Sequence, residues 1–470
     1  MDQQLQKPQQ NPLGVKPIGE LLLQFSIPSI ISFLVSALYN IVDQIFIGQG
    51  VGMSGNAATN IAFPLVTIYT SLALLLGVGS ASNFNLRMGE GKPREAALIV
   101  GSGLSAIVIS SITLAAVVMV FLHPLLLFFG ATDELLSYAT AYTRITTFGI
   151  PLVVFSTASS QLIRADGSPT YSMACQIAGA LLNTVLDYLF VFPLAMGMEG
   201  AALATVLGQL LAAILAFRYF FHFKTVPLTR AELRPRWRCI RAIASLGMAA
   251  SFNQLAMTAV QITMNNTLKH YGALSSYGSK IPLACVGVIT KVNTILLGII
   301  IGTAQGCQPI VGFNYGAKNY QRVKQTYRTG AKIVTAVSVT AFLLFQCFPR
   351  QIVSIFGSGS EAYFQFAQRY FRIFLFMTFL NGLQPLTANF FTSIGKAKMG
   401  IFMSMTRQIL FLLPLVVIFP MIWGIDGVMY AGPIADTAAG VLAITLVTRE
   451  MRIMTAMEQK QGTKSGGMQA

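Results

Sequence analysis

The sequence predicts an all-α polytopic membrane protein of twelve transmembrane helices, arranged as two six-helix lobes related by a pseudo-twofold axis along the membrane normal. Three observations predict it. The chain is 54% hydrophobic and only 10% charged, with mean hydropathy +0.64, whereas soluble domains carry about 25% charged residues. Charge-poor stretches long enough to cross a bilayer as helix, about 20 residues, recur along it. Three motifs return in order at nearly one spacing.

Taken in order, a polar segment over 1–18 is read as a cytoplasmic N-terminal tail. The first span, 21–48, holds FSIPSIISFLVSALYNIVDQIFIGQG. No small-residue cleavage site follows it, so it reads as a retained span and not as a signal peptide. The second span, 56–83, is closed by Arg87, Lys92 and Arg94. Spans three and four, 96–121 and 137–162, end at Arg164. Spans five and six, 169–192 and 198–221, lead into the basic stretch Arg218–Arg241, with a linker at 223–238. Spans seven and eight, 242–268 and 281–308, are followed by Lys318, Arg322, Lys324 and Arg328. Spans nine and ten, 330–349 and 364–392, end at Lys396 and Lys398. Spans eleven and twelve, 399–423 and 427–448, precede Arg449, Arg452 and a C-terminal tail over 451–470. The lobes are then 19–222 and 239–450.

Every one of these alternate loops is basic, and the opposite set holds chiefly Lys269, Lys280 and Arg350. By the positive-inside rule both termini are cytoplasmic, in the cell (plasma or inner) membrane. The net charge of +16 therefore reports orientation. No basic helix with interleaved aromatics points to nucleic acid. Five cysteines (175, 239, 285, 307, 347) lack CxxC spacing and read as packing residues or free thiols.

The repeat sets the lobes. LLLGVGSASNFNLRMGEGKPREA at 74–96 returns as IIIGTAQGCQPIVGFNYGAKNYQRV at 299–323, pairing Gly77 with Gly302 and Gly91 with Gly316. FFGATDE returns as IFGSGSE, and Pro193–Gly200 returns as Pro420–Gly427 at a shift of 227. Six spans per repeat give both halves one orientation.

Between Glu20 and Arg87 the only charge is Asp43, and between Ser168 and Met198 the only charge is Asp187. A carboxylate in hydrocarbon costs roughly 2.5–3.5 kcal/mol, so it faces a protein interior or a wet cavity. Both acids lie toward the outer ends of outward-running spans, at similar depth. Asn183 is one turn before Asp187, and Thr205 is about 12 Å into the inward-running sixth span. Asp43, Asn183, Asp187 and Thr205 form an oxygen-rich cation site for Na⁺ or a shared proton. The alternative for Asn183 and Thr205 is a bond to helix backbone. Aligning Gly50 with Gly272 puts Asn265 in the place of Asp43, and the shift of 227 puts Pro414 in the place of Asp187. The acidic pair belongs to the first half alone. Tyr39, one turn before Asp43, shares its face.

In the second half Lys291 and Asp436 are each the sole charge of their spans, at equal depth. They are expected either to pair or to leave Asp436 lining a substrate cavity with Lys291. Arg407, nearer the cytoplasmic end, is expected to reach the headgroups.

Tyr39-Asn-Ile-Val-Asp43, Asn183 with Leu186-Asp187, Glu199-Gly-Ala-Ala202 leading to Thr205, and Arg164-Ala-Asp-Gly167 together resemble the MATE family of multidrug and toxic-compound exporters, nearest the MepA-type and DinF-type branch. The resemblance covers about 16–450. It implies a V-shaped pair of lobes, alternating access and cation-coupled export of organic cations or amphiphiles. It also implies coupling at Asp43, Asn183, Asp187 and Thr205, with a proline that bends the first helix, a role Pro28 fits. The alternative is a lipid-linked oligosaccharide flippase, which the paired acids disfavour. Scattered His123, His222 and His270 offer no catalytic constellation, and no Walker motif occurs. No cofactor beyond H⁺ or Na⁺ is expected. Partners are drug-like molecules and membrane lipid, not nucleic acid, with the chain a monomer.

Overall fold

A computed structural model describes residues 11–356 and 359–466. The outer ends of both expected tails, and Gly357 and Ser358 of the repeated IFGSGSE motif, lie outside the described residues. The first half forms α1 (Ile18–Gly50), α2 (Met53–Gly89), α3 (Pro93–Val120), α4 (Asp133–Ala165), α5 (Pro169–Val191) and α6 (Gly197–Phe220). The second half forms α7 (Trp237–Ala273), α8 (Lys280–Gly316), α9 (Tyr320–Cys347), α10 (Glu361–Phe374), α11 (Leu383–Ser393), α12 (Ala397–Met405), α13 (Leu413–Trp423) and α14 (Ile425–Gly466). Among the described residues eleven helical spans are long and apolar enough to cross a membrane, and the protein is a multi-pass membrane protein.

The tenth expected span is not one of the eleven, because it is broken. α10 and α11 flank a single turn at Thr378–Asn381, and the Thr378 hydroxyl donates to the Leu375 carbonyl at 2.6 Å. Irregular backbone at membrane depth persists only where such partners exist. The eleventh span is interrupted too. A π turn at Thr406–Leu412 joins α12 to α13. Pro414, the second residue of α13, has no N–H to offer the preceding turn, and a wider turn accommodates that loss.

The internal repeat is visible in the turns. Residues in the left-handed region pair as Gly52 with Gly278, Gly91 with Lys318 and not with the expected Gly316, Gly167 with Gly395 and Gly197 with Gly424, at separations of 226 to 228. The same corner is built the same way in each half.

The halves exchange the starts of their first helices. Ile18, Leu21, Leu22 and Phe25 of α1 are buried in one core with residues of α7 to α14, whereas Ile47, at its other end, packs with α2, α4 and α6. Ile243 at the start of α7 packs in that first-half core in return. Glycines permit this. A methyl added at Gly79 would collide with the Ile243 carbonyl, and one at Gly306, the equivalent of Gly79 at a shift of 227, with Ser26. Contact between α2 and α7 extends outward to a Thr67–Thr258 hydroxyl pair at 3.1 Å. Toward the other end, the faces that met are exposed: Asn40 and Gln44 on α1, Lys291 and Thr294 on α8. The bundle is closed at the end bearing the linker and split at the opposite end.

A strap reinforces the closed end. The segment before α1 lays Leu13, buried, against the second half. Arg322 of α9 donates to the Leu13 carbonyl at 3.1 Å, the Lys16 carbonyl at 2.6 Å and Asn314 Oδ1 at 3.2 Å. Asn314 Nδ2 also donates to Leu13 O at 2.9 Å. Hydrogen bonds from a charged donor contribute about 1.5–3 kcal/mol. Arg322→Ala is therefore expected to speed hydrogen exchange at residues 11–16 by about tenfold or more; unchanged exchange would show that packing alone holds the strap.

The linker is anchored to the first half. Asp166, buried in the turn between α4 and α5, accepts from the Tyr219 hydroxyl at 2.7 Å, from the backbone N–H of Lys224 at 2.7 Å and Thr225 at 3.0 Å, and from the Thr225 hydroxyl at 2.5 Å.

Candidate cation site

α1, α5 and α6 enclose the site within the first half. Asp43 and Asp187 are buried, 7% and 0% exposed, and their carboxyl groups meet side chain to side chain. Two ionised carboxylates are acceptors only and cannot satisfy each other. Both oxygens of Asp187, one of Asp43 and the amide oxygen of Asn183 are buried with no hydrogen-bond donor among the described residues. Four unpartnered oxygens at one point in a low-dielectric interior call for a shared proton or a hard cation.

Asn183 Nδ2 reaches toward Thr205 Oγ1 at 3.5 Å, and that hydroxyl donates to the Ala201 carbonyl at 3.0 Å. Thr205 therefore makes the backbone bond open to such residues while its oxygen still faces Asn183. These two border a cavity of about 10 Å³, room for one water-sized occupant. Tyr39, half-buried, lines it and lies within electrostatic range of both acids.

Sequence reasoning missed three neighbours. Gln176 and Gln209 line the same cavity, and their signal was helical register, two turns before Asn183 and one turn after Thr205. Tyr142 of α4 also lies within electrostatic range of Asp43 and Asp187; only the tertiary packing of α4 brings it there.

Pro28 is buried inside an unbroken α1. The α1 residues that pack on the second half run past it, since Ile30 meets Gly302 and Leu34 meets Gly298, and the Ser32 hydroxyl bonds its carbonyl at 2.8 Å.

The second-half expectation is corrected. Asp436 pairs with Arg407, Nε to Oδ1 at 2.5 Å, and not with Lys291. Arg407 does not reach the headgroups, because the π turn directs it inward, and its side chain is 10% exposed. Lys291 is exposed on α8, two turns from Gly298 and three from Gly302, on the face those glycines turn to α1. It therefore projects into the split between the halves.

The MatE family profile matches residues 28–189 and 249–418. Relatives include the FAD transporter of Shewanella oneidensis, 24% identical over 92% of this chain and 95% of that one. Multidrug export protein MepA of Staphylococcus aureus is 23% identical over 92% and 94%. Among solved structures, the MATE multidrug transporter DinF-BH is 35% identical, with a TM-score of 0.87 over 96% of this chain and all of that one. An outward-facing MATE transporter of the MOP superfamily, at 22% identity, shares the fold with a TM-score of 0.88 over 96% of this chain and all of that one.

Proposed function

Because the chain belongs to the MatE family, we propose that it is a secondary active efflux transporter, exporting organic cations or amphiphiles in exchange for H⁺ or Na⁺ by alternating access. The observation that carries this reading is the cluster of unpartnered oxygens at Asp43, Asp187 and Asn183. A buried acceptor set of this kind is in its lowest free energy only with a cation or proton bound, so its occupancy favours one conformation over another.

The basic loops support cytoplasmic termini, and with that orientation the split faces outward. A cation entering from that side neutralises the acids. α1, which belongs to both halves, then bends near Pro28, and the split between the halves narrows and releases its substrate. The protein works as a monomer in the cell membrane. Lys291 adds a cation within the split. It disfavours simple organic cations and favours substrates that also carry an anionic group, a chemistry shared by the FAD named for one relative.

The test is efflux from proteoliposomes with the proton and sodium gradients collapsed separately. Collapse of one gradient should stop export of a cationic dye. Export indifferent to both would overturn the reading. Lys291→Ala should weaken dyes bearing an anionic group by about tenfold relative to simple cations, about 1.4 kcal/mol; equal effects on both would remove Lys291 from the binding surface.

A further inference from the structure

The crossing of α5 over α6 is built at Gly179 and Gly208. A methyl added at either would sit 2.8 or 2.7 Å from the other's carbonyl oxygen. The small cavity opens beside that crossing, lined by Ala180, Asn183 and Gln209 among others. The separation of 227, which relates the left-handed corners Gly197 and Gly424, carries Gly179 and Gly208 to Thr406 and Ala435. Both are fully buried, at 0% exposure. The next residues along, Ala180 and Gln209, become Arg407 and Asp436. The repeat-equivalent of the first-half cavity is therefore filled by an ion pair, the Arg407 guanidinium bonded to the Asp436 carboxylate at 2.5 Å.

The second-half backbone has been reshaped around this pair. Arg407 sits in the π turn of the eleventh span, a form that widens one turn of helix and recurs at functional sites. Asp436 lies one turn from Gly432 and one from Gly440. Those glycines meet the Phe374 carbonyl and the Leu380 side chain, one on either side of the break after α10. Asp436 thus faces the broken tenth span, and both discontinuities of the second half converge on one carboxylate and its counter-charge.

We propose that Arg407 is a tethered counter-cation. Its guanidinium permanently occupies, in the second half, the place equivalent to the small cavity beside the cation site of the first. The pocket around Asp436 accepts a planar guanidinium-class cation, and because the chain supplies that cation, the second half exchanges no ion during transport. This rests on the cation site proposed for the first half only for its consequence in transport; the occupied pocket stands independently.

The test uses purified full-length protein. Arg407→Ala should lower the melting temperature, and millimolar guanidinium, far below denaturing concentration, should restore it, while urea, neutral and of the same shape, should not. The wild type should show no such gain. Asp436→Asn combined with Arg407→Ala should not respond to guanidinium. Asp43→Asn combined with Arg407→Ala should respond as fully as Arg407→Ala, which separates this pocket from the first-half site. Folded Arg407→Ala that ignores guanidinium, or rescue that persists without Asp436, would overturn the proposal. Should Arg407→Ala fail to accumulate, Arg407→Lys must still fold and gain nothing from guanidinium, since it keeps a tethered cation; its failure to fold would equally overturn the idea.

Discussion

Asp187→Asn is expected to abolish coupled efflux while leaving the protein folded in the membrane, and Asp43→Asn to do the same. An amide neither takes up a proton at ordinary pH nor offers an anionic ligand. Asp187 is fully buried with both carboxyl oxygens unpartnered, so replacing it removes a desolvated acid and breaks no salt bridge. Stability should stay level or rise. Transport should not survive, because cation binding then no longer distinguishes two conformations. Losing even a tenfold preference, about 1.4 kcal/mol, removes the drive for a directed cycle. The measurement is dye efflux from energised vesicles at matched expression, with a melting curve on the same preparation. Full efflux by both variants would dismiss the acid pair as the coupling site.

Asp436→Asn should instead damage the fold. Arg407 and Asp436 are each nine-tenths buried or more, and they are joined at 2.5 Å. Removing the carboxylate strands a guanidinium in the interior, where breaking a buried pair costs roughly 3–5 kcal/mol. Exchanging both partners for apolar residues, Arg407→Met with Asp436→Leu, should recover most of that, because neither desolvated charge remains. The melting temperatures of the single and double variants decide it. A single variant as stable as the wild type would mean that water solvates Arg407.

Much of this was legible in the chain itself. Solitary charges in long apolar stretches located Asp43, Asp187, Lys291 and Asp436, because the cost of a charge in hydrocarbon makes each such position conspicuous. Helical register tied Asn183 to Asp187 and Tyr39 to Asp43, since residues one turn apart share a face whatever the tertiary context. The same periodicity held Gln176 and Gln209 in plain view, yet uncharged polar residues carry too small a penalty to stand out from the many that bond their own helix backbone.

What the sequence determined by itself was the family resemblance, the membrane class, the repeat and the position of each solitary charge. The resemblance rests on short motifs such as the one ending at Asp43, and the other three follow from composition and spacing, which act along one helix at a time. Only the tertiary structure decided which charges meet. Depth alone favoured Lys291 over Arg407 as the partner of Asp436, but equal depth fixes one coordinate and leaves the rotation of each helix free. The π turn at Thr406–Leu412 sets that rotation, and it turns Arg407 onto Asp436 while Lys291 stays on the open face of α8. Tertiary packing likewise decided that α1 begins in one core and ends in the other. Burial of Leu21 and Leu22 is equally favourable in either half, and the close approach of backbones at Gly79 and Gly306 settles which half receives them.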